Sequence, residues 1–332
     1  MRPLLPSIAF LTLLLASGAQ AEVTSFPVLP SATDAEIKTF DQPHWIYINR
    51  DIVVSNLKTL PADRHELLLW LPGTGSKGHD AQAFATLAAD LGYHVVTLMY
   101  PDDTPASICA QDSNPKSFED FRLAIIQGGT ATIRDGQRRF SVERAEAIEN
   151  RLVKLLRLLQ QRRPKENWGQ FLTDNGSIKW ETIAVAGHSQ GGGHAALIGI
   201  KHPVARVICL GAPKDYNQRL KAPAAFYNDP SATPKARFFA FNHRQDSVVT
   251  TPEQMLKNLN VLGLATFGAP SEVDTEASPY HHSRILYTRY PKVVLSEQNG
   301  LAAYTAHGSV INSTNAARWK PIWTYLLTEP TQ

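Results

Sequence analysis

Cysteine is scarce in this chain: its 332 residues include only Cys109 and Cys209. Two cysteines exclude a small fold held together by disulfides, and no Cys/His spacing typical of a structural zinc site is present. Cys209 lies in an apolar run that predicts a buried strand, whereas the polar residues around Cys109 predict a loop. A disulfide needs Cα atoms within about 7 Å. If a helix covers Cys209 in the middle of its strand, Cys109 cannot come this close without disturbing the core. We therefore expect no disulfide between them.

A strong excess of either charge is also absent. The chain has 33 Lys and Arg against 30 Asp and Glu, a formal net charge of +3, with no block of five or six like charges. This balance gives no electrostatic footprint for nucleic acid or for an acidic membrane surface, and neither is expected as a partner. A hydrophobic fraction of 43% excludes a disordered chain and favours a globular one.

Long apolar runs are confined to the N-terminus. Residues 1–21 combine Arg2, an apolar stretch over residues 8–15 and the Ala-Gln-Ala sequence at 19–21, the pattern of a cleavable signal peptide. The apolar stretch is shorter than the ~20 residues of a membrane-spanning helix, and no cysteine follows to accept lipid. We predict cleavage after Ala21, export to the periplasm or secretion, no stable membrane anchor, and a single domain over residues 22–332.

Apolar runs alternate with stretches of helical spacing along the rest of the chain. Strands are predicted at residues 45–48, 51–55, 67–71, 95–100, 182–186, 206–210, 236–241 and 284–290. Helices are predicted at residues 79–91, 118–126, 191–200, 252–262 and 316–327. Such alternation predicts an α/β fold with a mainly parallel sheet covered by helices on both faces.

Two further segments have a predicted local structure. Ser141 has the character of an N-cap and predicts a long helix that continues to Arg163. The stretch over residues 263–306 is predicted to be mostly irregular, and His307 to lie in a loop of small residues.

The motif with the clearest chemistry is Gly-His-Ser-Gln-Gly at residues 187–191, between an apolar strand and a helix of small residues. This strand-turn-helix setting is that of a nucleophile elbow, in which a serine on a strained turn is presented to substrate. The backbone N–H of Gln190 opens the helix and points to where an oxyanion would form next to Ser189. The alternative is a glycine-rich packing turn that carries an incidental serine.

With this motif the chain resembles the α/β-hydrolase superfamily over about residues 40–328. It is most similar to a group of exported bacterial α/β-hydrolases, through residues 186–196, 241–246 and 306–309. The resemblance implies the α/β-hydrolase fold, with a mostly parallel sheet of the eight-stranded type. It also implies a triad in the chain order nucleophile, acid, histidine, with no metal or organic cofactor.

Chain order then selects the acid and the base. Asp246 follows the strand at 236–241 and resembles the acid-bearing turn of the family, while Asp215, after the strand at 206–210, is the rival. Of 11 histidines, only His281, His282 and His307 follow Asp246. We favour His307, because it precedes the C-terminal helix as the catalytic histidine of the family does.

The second oxyanion donor is expected in the glycine-rich loop after the strand at 67–71, where Thr74 is the first choice. The sequence thus predicts an exported serine hydrolase that cleaves small-molecule esters or thioesters through an acyl-enzyme. Amide or peptide cleavage and acyl transfer would use the same triad. A binding protein that keeps the fold without turnover is the alternative outside enzymes.

Overall fold

The computed structural model describes residues 22–55, 64–293 and 300–331. The signal peptide predicted for residues 1–21 lies outside the described residues. Within the described ranges, no helix has both the length and the apolar character needed to cross a membrane.

The strands are, in chain order, β1 (Val23–Val28), β2 (His44–Asn49), β3 (Leu67–Leu71), β4 (His94–Thr97), β5 (Gly129–Ile133), β6 (Arg138–Val142), β7 (Ile183–His188), β8 (Arg206–Leu210), β9 (Tyr216–Asn217), β10 (Ala222–Pro223), β11 (Phe238–His243), β12 (Ser271–Glu272) and β13 (Ile285–Thr288). The α-helices are α1 (Arg50–Ser55), α2 (Gln82–Asp90), α3 (Ser117–Gln127), α4 (Ile148–Arg162), α5 (Gln190–Lys201), α6 (Pro252–Val261), α7 (Gly300–Ser309) and α8 (Ala316–Thr328).

Nine of the described strands form one sheet in the order β1-β2-β4-β3-β7-β8-β11-β13-β12. β2 runs antiparallel to both of its neighbours, and the pairs from β4 to β12 are parallel. The predicted α/β class is confirmed. The sheet has one strand more than the eight-stranded type, because the two-residue β12 pairs with β13 in the stretch predicted to be irregular.

Alternation of side chains along the strands divides the core into two layers. Leu67 and Leu69 of β3 face α3, α4 and α5, whereas Leu68 and Trp70 face α2 and α8. All five side chains of β3 are buried, since helices cover both faces of the sheet. The continuous apolar run in the sequence is therefore explained by two-sided burial.

The sheet order creates a crevice between the ends of β3 and β7. From β3 the chain passes to β4 on one side, and from β7 it passes to β8 on the other. The loops after these two neighbouring strands therefore run to opposite sides of the sheet. Open α/β sheets bind ligands where the strand order reverses in this way, outside the carboxyl ends of the strands. The loop with Thr74 and the turn with Ser189 both lie there.

Three local predictions were wrong. Residues 51–55 belong to helix α1 instead of a strand, because the Asn49 side chain accepts a hydrogen bond from the backbone N–H of Ile52 (3.4 Å) in the manner of an N-cap. Ser141 lies in β6, which forms a hairpin with β5, and its hydroxyl is 2.9 Å from that of Thr130 across the hairpin. The long helix α4 accordingly begins only at Ile148, and His307 lies in the last turn of α7 instead of in a loop.

Both cysteines are free and buried. Sγ of Cys109, in a short 3₁₀ helix after β4, lies 3.4 Å from the Ser117 carbonyl oxygen, and Sγ of Cys209, on β8, lies 3.4 Å from that of Gly192. β4 and β8 are separated by β3 and β7, which is three strand spacings or about 14 Å. Burial raises the pKa of the Cys209 thiol to about 12 and also raises that of Cys109, so both thiols are protonated and unreactive in the folded chain.

We predict that the unreduced protein, alkylated in denaturant, gains two labels in its intact mass, whereas the folded protein gains none. The reason is that both thiols are free but have no access to reagent. If label entered the denatured protein only after reduction, the two cysteines would be paired and the prediction would be wrong.

Candidate active site

Ser189 has the backbone conformation of a strained turn. It lies between β7 and α5 with φ 54° and ψ −117°, a region that side-chain-bearing residues rarely adopt. The turn is tight: a Cβ atom on Gly187 would lie 2.3 Å from the backbone of Gly191, and one on Gly191 would lie 2.0 Å from the Leu71 carbonyl oxygen. Glycines at these two positions are therefore required for α5 to pass so close to β7 and β3.

The loop after β3 reaches Ser189 directly. A Cβ atom on Gly73 would lie 3.1 Å from the Ser189 Cβ, and the Thr74 hydroxyl donates to Gln190 Oε1 at 3.1 Å. The first N–H groups of an α-helix have no acceptor within the helix, and that of Gln190 is one of them. The structure thus brings together the two residues predicted to form an oxyanion hole, next to Ser189.

The side chain of Gln190 fixes this arrangement, a role that the sequence did not indicate. Its Oε1 also accepts from the backbone N–H of Ala106 (2.8 Å), and its Nε2 donates to the Thr104 carbonyl (3.1 Å). Gln190 is buried, and it ties the loops after β3 and β4 to the start of α5. Such a tie holds backbone donors in place before a ligand arrives.

His307 and Asp246 are hydrogen-bonded to each other. Nδ1 of His307 lies 2.8 Å from Oδ2 of Asp246, whose carboxylate is fully buried after β11. The His307 ring extends over the end of β8, since a Cβ atom on Gly211 would lie 3.1 Å from its Cε1. The preceding residue, Leu210, accepts the backbone N–H of Ser189 at 2.9 Å. The ring and the serine therefore lie at the same edge of the sheet.

Among the described residues, no hydrogen bond joins the Ser189 hydroxyl to the His307 ring. Hydrogen bonds of this kind are often long in a free enzyme and tighten when substrate binds. The other two histidines that chain order allowed lie elsewhere: His281 is exposed near Glu276 (3.7 Å), and His282 is paired with Glu329 (2.5 Å).

A second histidine packs against His307. The ring centroids of His188 and His307 are 4.5 Å apart, and His188 Nε2 donates to the His307 backbone carbonyl at 3.1 Å. Burial, together with the neighbouring His307, lowers the pKa of His188 to about 3. His188 is consequently neutral at physiological pH and acts as a support for the ring and backbone of His307.

Asp215, the rival acid, has a different partner. Its two carboxylate oxygens accept from Nε and Nη2 of Arg122, both at 2.6 Å, and the Tyr227 hydroxyl donates to it at 3.1 Å. Arg122 also donates to the Gln190 carbonyl at 2.9 Å and passes so close to α5 that a Cβ atom on Gly193 would lie 2.1 Å from its Nη2. Asp215 and Arg122 therefore form a buried ion pair that supports the turn at Ser189.

Lys214, the neighbour of Asp215 in sequence, binds the other acid. Its Nζ donates to Asp246 Oδ1 at 2.8 Å and to the Val248 carbonyl at 3.0 Å. Burial acts to raise the pKa of Asp246, but the hydrogen bond with His307 and the charge of Lys214 outweigh it and lower that pKa below its usual value. Asp246 is consequently ionised at neutral pH.

A small cavity opens at Ser189, with a volume of about 50 Å³. Its lining includes Thr74, Gln190, Lys214, Phe118 and Val249. A larger cavity of about 800 Å³ lies between β1 and the end of α4, and none of the predicted site residues lines it. In the described part of the chain, no group of three or more His, Cys, Asp or Glu is arranged to hold a metal ion.

Comparisons with known proteins identify no family. No family model matches the chain, and no curated protein matches it. Among solved structures, it is similar to the crystal structure of TT1662 from Thermus thermophilus, with a TM-score of 0.42 and 13% sequence identity over 93% of this chain and 100% of that one. The α/β assignment therefore rests on the sheet of this chain itself.

The Arg122–Asp215 pair predicts that Asp215→Ala destabilises the fold by about 3 kcal/mol, because it leaves a buried guanidinium without its partner. Urea unfolding measures this effect, and Asp174→Ala at an exposed position is the control, expected within about 0.5 kcal/mol of the parent. An Asp215→Ala protein of unchanged stability would contradict the supporting role of the pair.

Proposed function

We propose that the chain is a serine hydrolase that cleaves carboxylic ester or thioester bonds of small molecules. The observation that carries this proposal is the meeting of a positive-φ serine, Ser189, and a hydrogen-bonded His307–Asp246 pair at one edge of the sheet. Nucleophile, acid and histidine also occur in the chain order of the α/β-hydrolase superfamily, which the sequence resembles. The leader-like residues 1–21 favour an exported enzyme.

In the proposed reaction, His307 takes the proton of the Ser189 hydroxyl as the serine oxygen attacks the ester carbonyl. The buried Asp246 carboxylate accepts from Nδ1 of His307, so that Nε2 is the nitrogen free to act as base. The backbone N–H groups of Gln190 and Thr74 stabilise the tetrahedral oxyanion. His307 then protonates the leaving alcohol, and water, activated by the same histidine, hydrolyses the acyl-enzyme.

The small cavity favours a short acyl group. The cavity next to Ser189 has a volume of only about 50 Å³. Phe118 is buried and closes the cavity from the side of α3. We therefore propose that the preferred acyl group is short, with two to four carbons.

Replacement of the reacting groups tests the proposal. We expect Ser189→Ala and His307→Ala to lower kcat for p-nitrophenyl acetate by roughly four orders of magnitude or more, with Asp246→Asn less severe. A fluorophosphonate probe is expected to label the parent and Ser25→Ala, an exposed control on β1, but not Ser189→Ala. Turnover that survives Ser189→Ala would refute the mechanism. Absent labelling and turnover in the parent would favour a binding protein.

A series of p-nitrophenyl esters of increasing chain length tests the acyl group. We expect kcat/KM to be highest for two to four carbons and to fall at least tenfold by eight. Phe118→Leu is expected to raise the ratio of octanoyl to acetyl turnover, because it removes bulk from the cavity wall. Phe121→Leu, on the same helix but away from the cavity, is expected to leave that ratio unchanged. A preference for eight carbons in the parent would contradict a short acyl group.

A further inference from the structure

We propose that Lys214 is a positioning residue of the site, whose ammonium group orients the Asp246 carboxylate toward His307 and offsets part of its negative charge. This inference rests on the proposed function, because it assigns Lys214 a part in the same reaction. The sequence analysis assigned no role to Lys214.

The contacts divide the Asp246 carboxylate between two partners. Oδ2 faces Nδ1 of His307 at 2.8 Å, and Oδ1 faces Nζ of Lys214 at 2.8 Å. The backbone N–H of Val248 also donates to Oδ1, at 3.2 Å. With one oxygen held by a cation and a backbone donor, rotation of the carboxylate would cost both bonds, and the other oxygen stays directed at the imidazole.

Lys214 is itself held at both ends. Its Nζ donates to the Val248 carbonyl at 3.0 Å, and its backbone carbonyl accepts from the Thr250 hydroxyl at 2.7 Å. The side chain is only 9% exposed. An exposed ion pair contributes little to stability, because side-chain entropy and solvent screening offset most of its attraction. Lys214 is instead buried and held by the bonds above.

The charges around the imidazole come from several elements. Asp246 contacts it from the turn after β11, the neutral His188 packs on it from β7, and Lys214 lies behind Asp246 on the loop after β8. His243 on β11 is bonded through Nε2 to the Pro291 carbonyl. The Arg122–Asp215 pair, which shares the cavity lining with Lys214, is neutral as a whole.

The Lys214 charge has a defined effect on the base. An ionised carboxylate stabilises an imidazolium next to it, and a cation bonded to that carboxylate weakens the stabilisation. Loss of the Lys214 charge is therefore expected to leave more negative charge on the Asp246 carboxylate beside the His307 ring.

The experiment compares Lys214→Met and Lys214→Gln with Lys214→Arg in the chain from Glu22 onward. Lys320→Met, at an exposed position on α8, is the matched control. The first readout is the NMR titration of the His307 ring, assigned by the signal missing from His307→Gln. The second is the pH dependence of kcat/KM for p-nitrophenyl acetate, which is expected to rise with pH through one ionisation and then level off.

We expect the titration midpoint of the ring, and the acid limb of kcat/KM, to move up by about one pH unit in Lys214→Met. Lys214→Gln keeps a hydrogen-bond donor without the charge, so it is expected to shift in the same direction. If Lys214→Met does not fold, Lys214→Gln decides the question. Lys214→Arg is expected to recover at least half of the shift, and Lys320→Met to show none.

An unchanged midpoint in a folded Lys214→Met or Lys214→Gln protein would overturn the inference. So would an equal loss of kcat/KM at every pH, since a merely structural lysine would lower activity without moving the acid limb. The NMR titration needs no substrate. A parent protein without labelling or turnover would therefore refute the proposed function, while the titration would still decide the role of Lys214.

Discussion

The close approach of α5 to β7 and β3 is the constraint on which the rest of the site depends. It forces Ser189 into a positive-φ conformation, and a residue held in this way costs about 1–3 kcal/mol that the surroundings must offset. The glycines of the turn have no side chain that would clash with the neighbouring backbone. Arg122 stabilises the turn by a hydrogen bond to the Gln190 carbonyl. The strained serine is thus a consequence of packing around it.

Two adjacent residues after β8 connect this turn to the His307–Asp246 pair. Asp215 binds Arg122 beneath the turn, and Lys214 binds Asp246 behind the imidazole. Both ion pairs are buried, where removal of either partner would leave a charge uncompensated. One short segment of backbone therefore holds two buried charges of opposite sign, one next to the turn at Ser189 and one next to the His307–Asp246 pair.

The parallel sheet explains why residues so far apart in sequence meet. Thr74, Ser189, Lys214 and Asp246 follow β3, β7, β8 and β11, and the carboxyl ends of parallel neighbouring strands lie at one edge. His307 reaches the same edge from α7, with its ring over the end of β8. Residues on separate loops are thereby held by a rigid sheet, and short loops suffice to bring them together.

The sequence by itself determined the α/β class, most strand positions and the strand-turn-helix setting of Ser189, because apolar periodicity and glycine spacing are local properties. The chain order implied by its resemblance to the α/β-hydrolase superfamily also limited the candidate histidines to three. Helix α1, the β5–β6 hairpin and the helical position of His307 were decided by packing and capping that local patterns do not contain. Only the tertiary structure showed that Asp246 contacts His307 and Lys214, whereas Asp215 contacts Arg122. The reason is that the partner of a buried charge depends on which distant side chain the fold brings within hydrogen-bond distance.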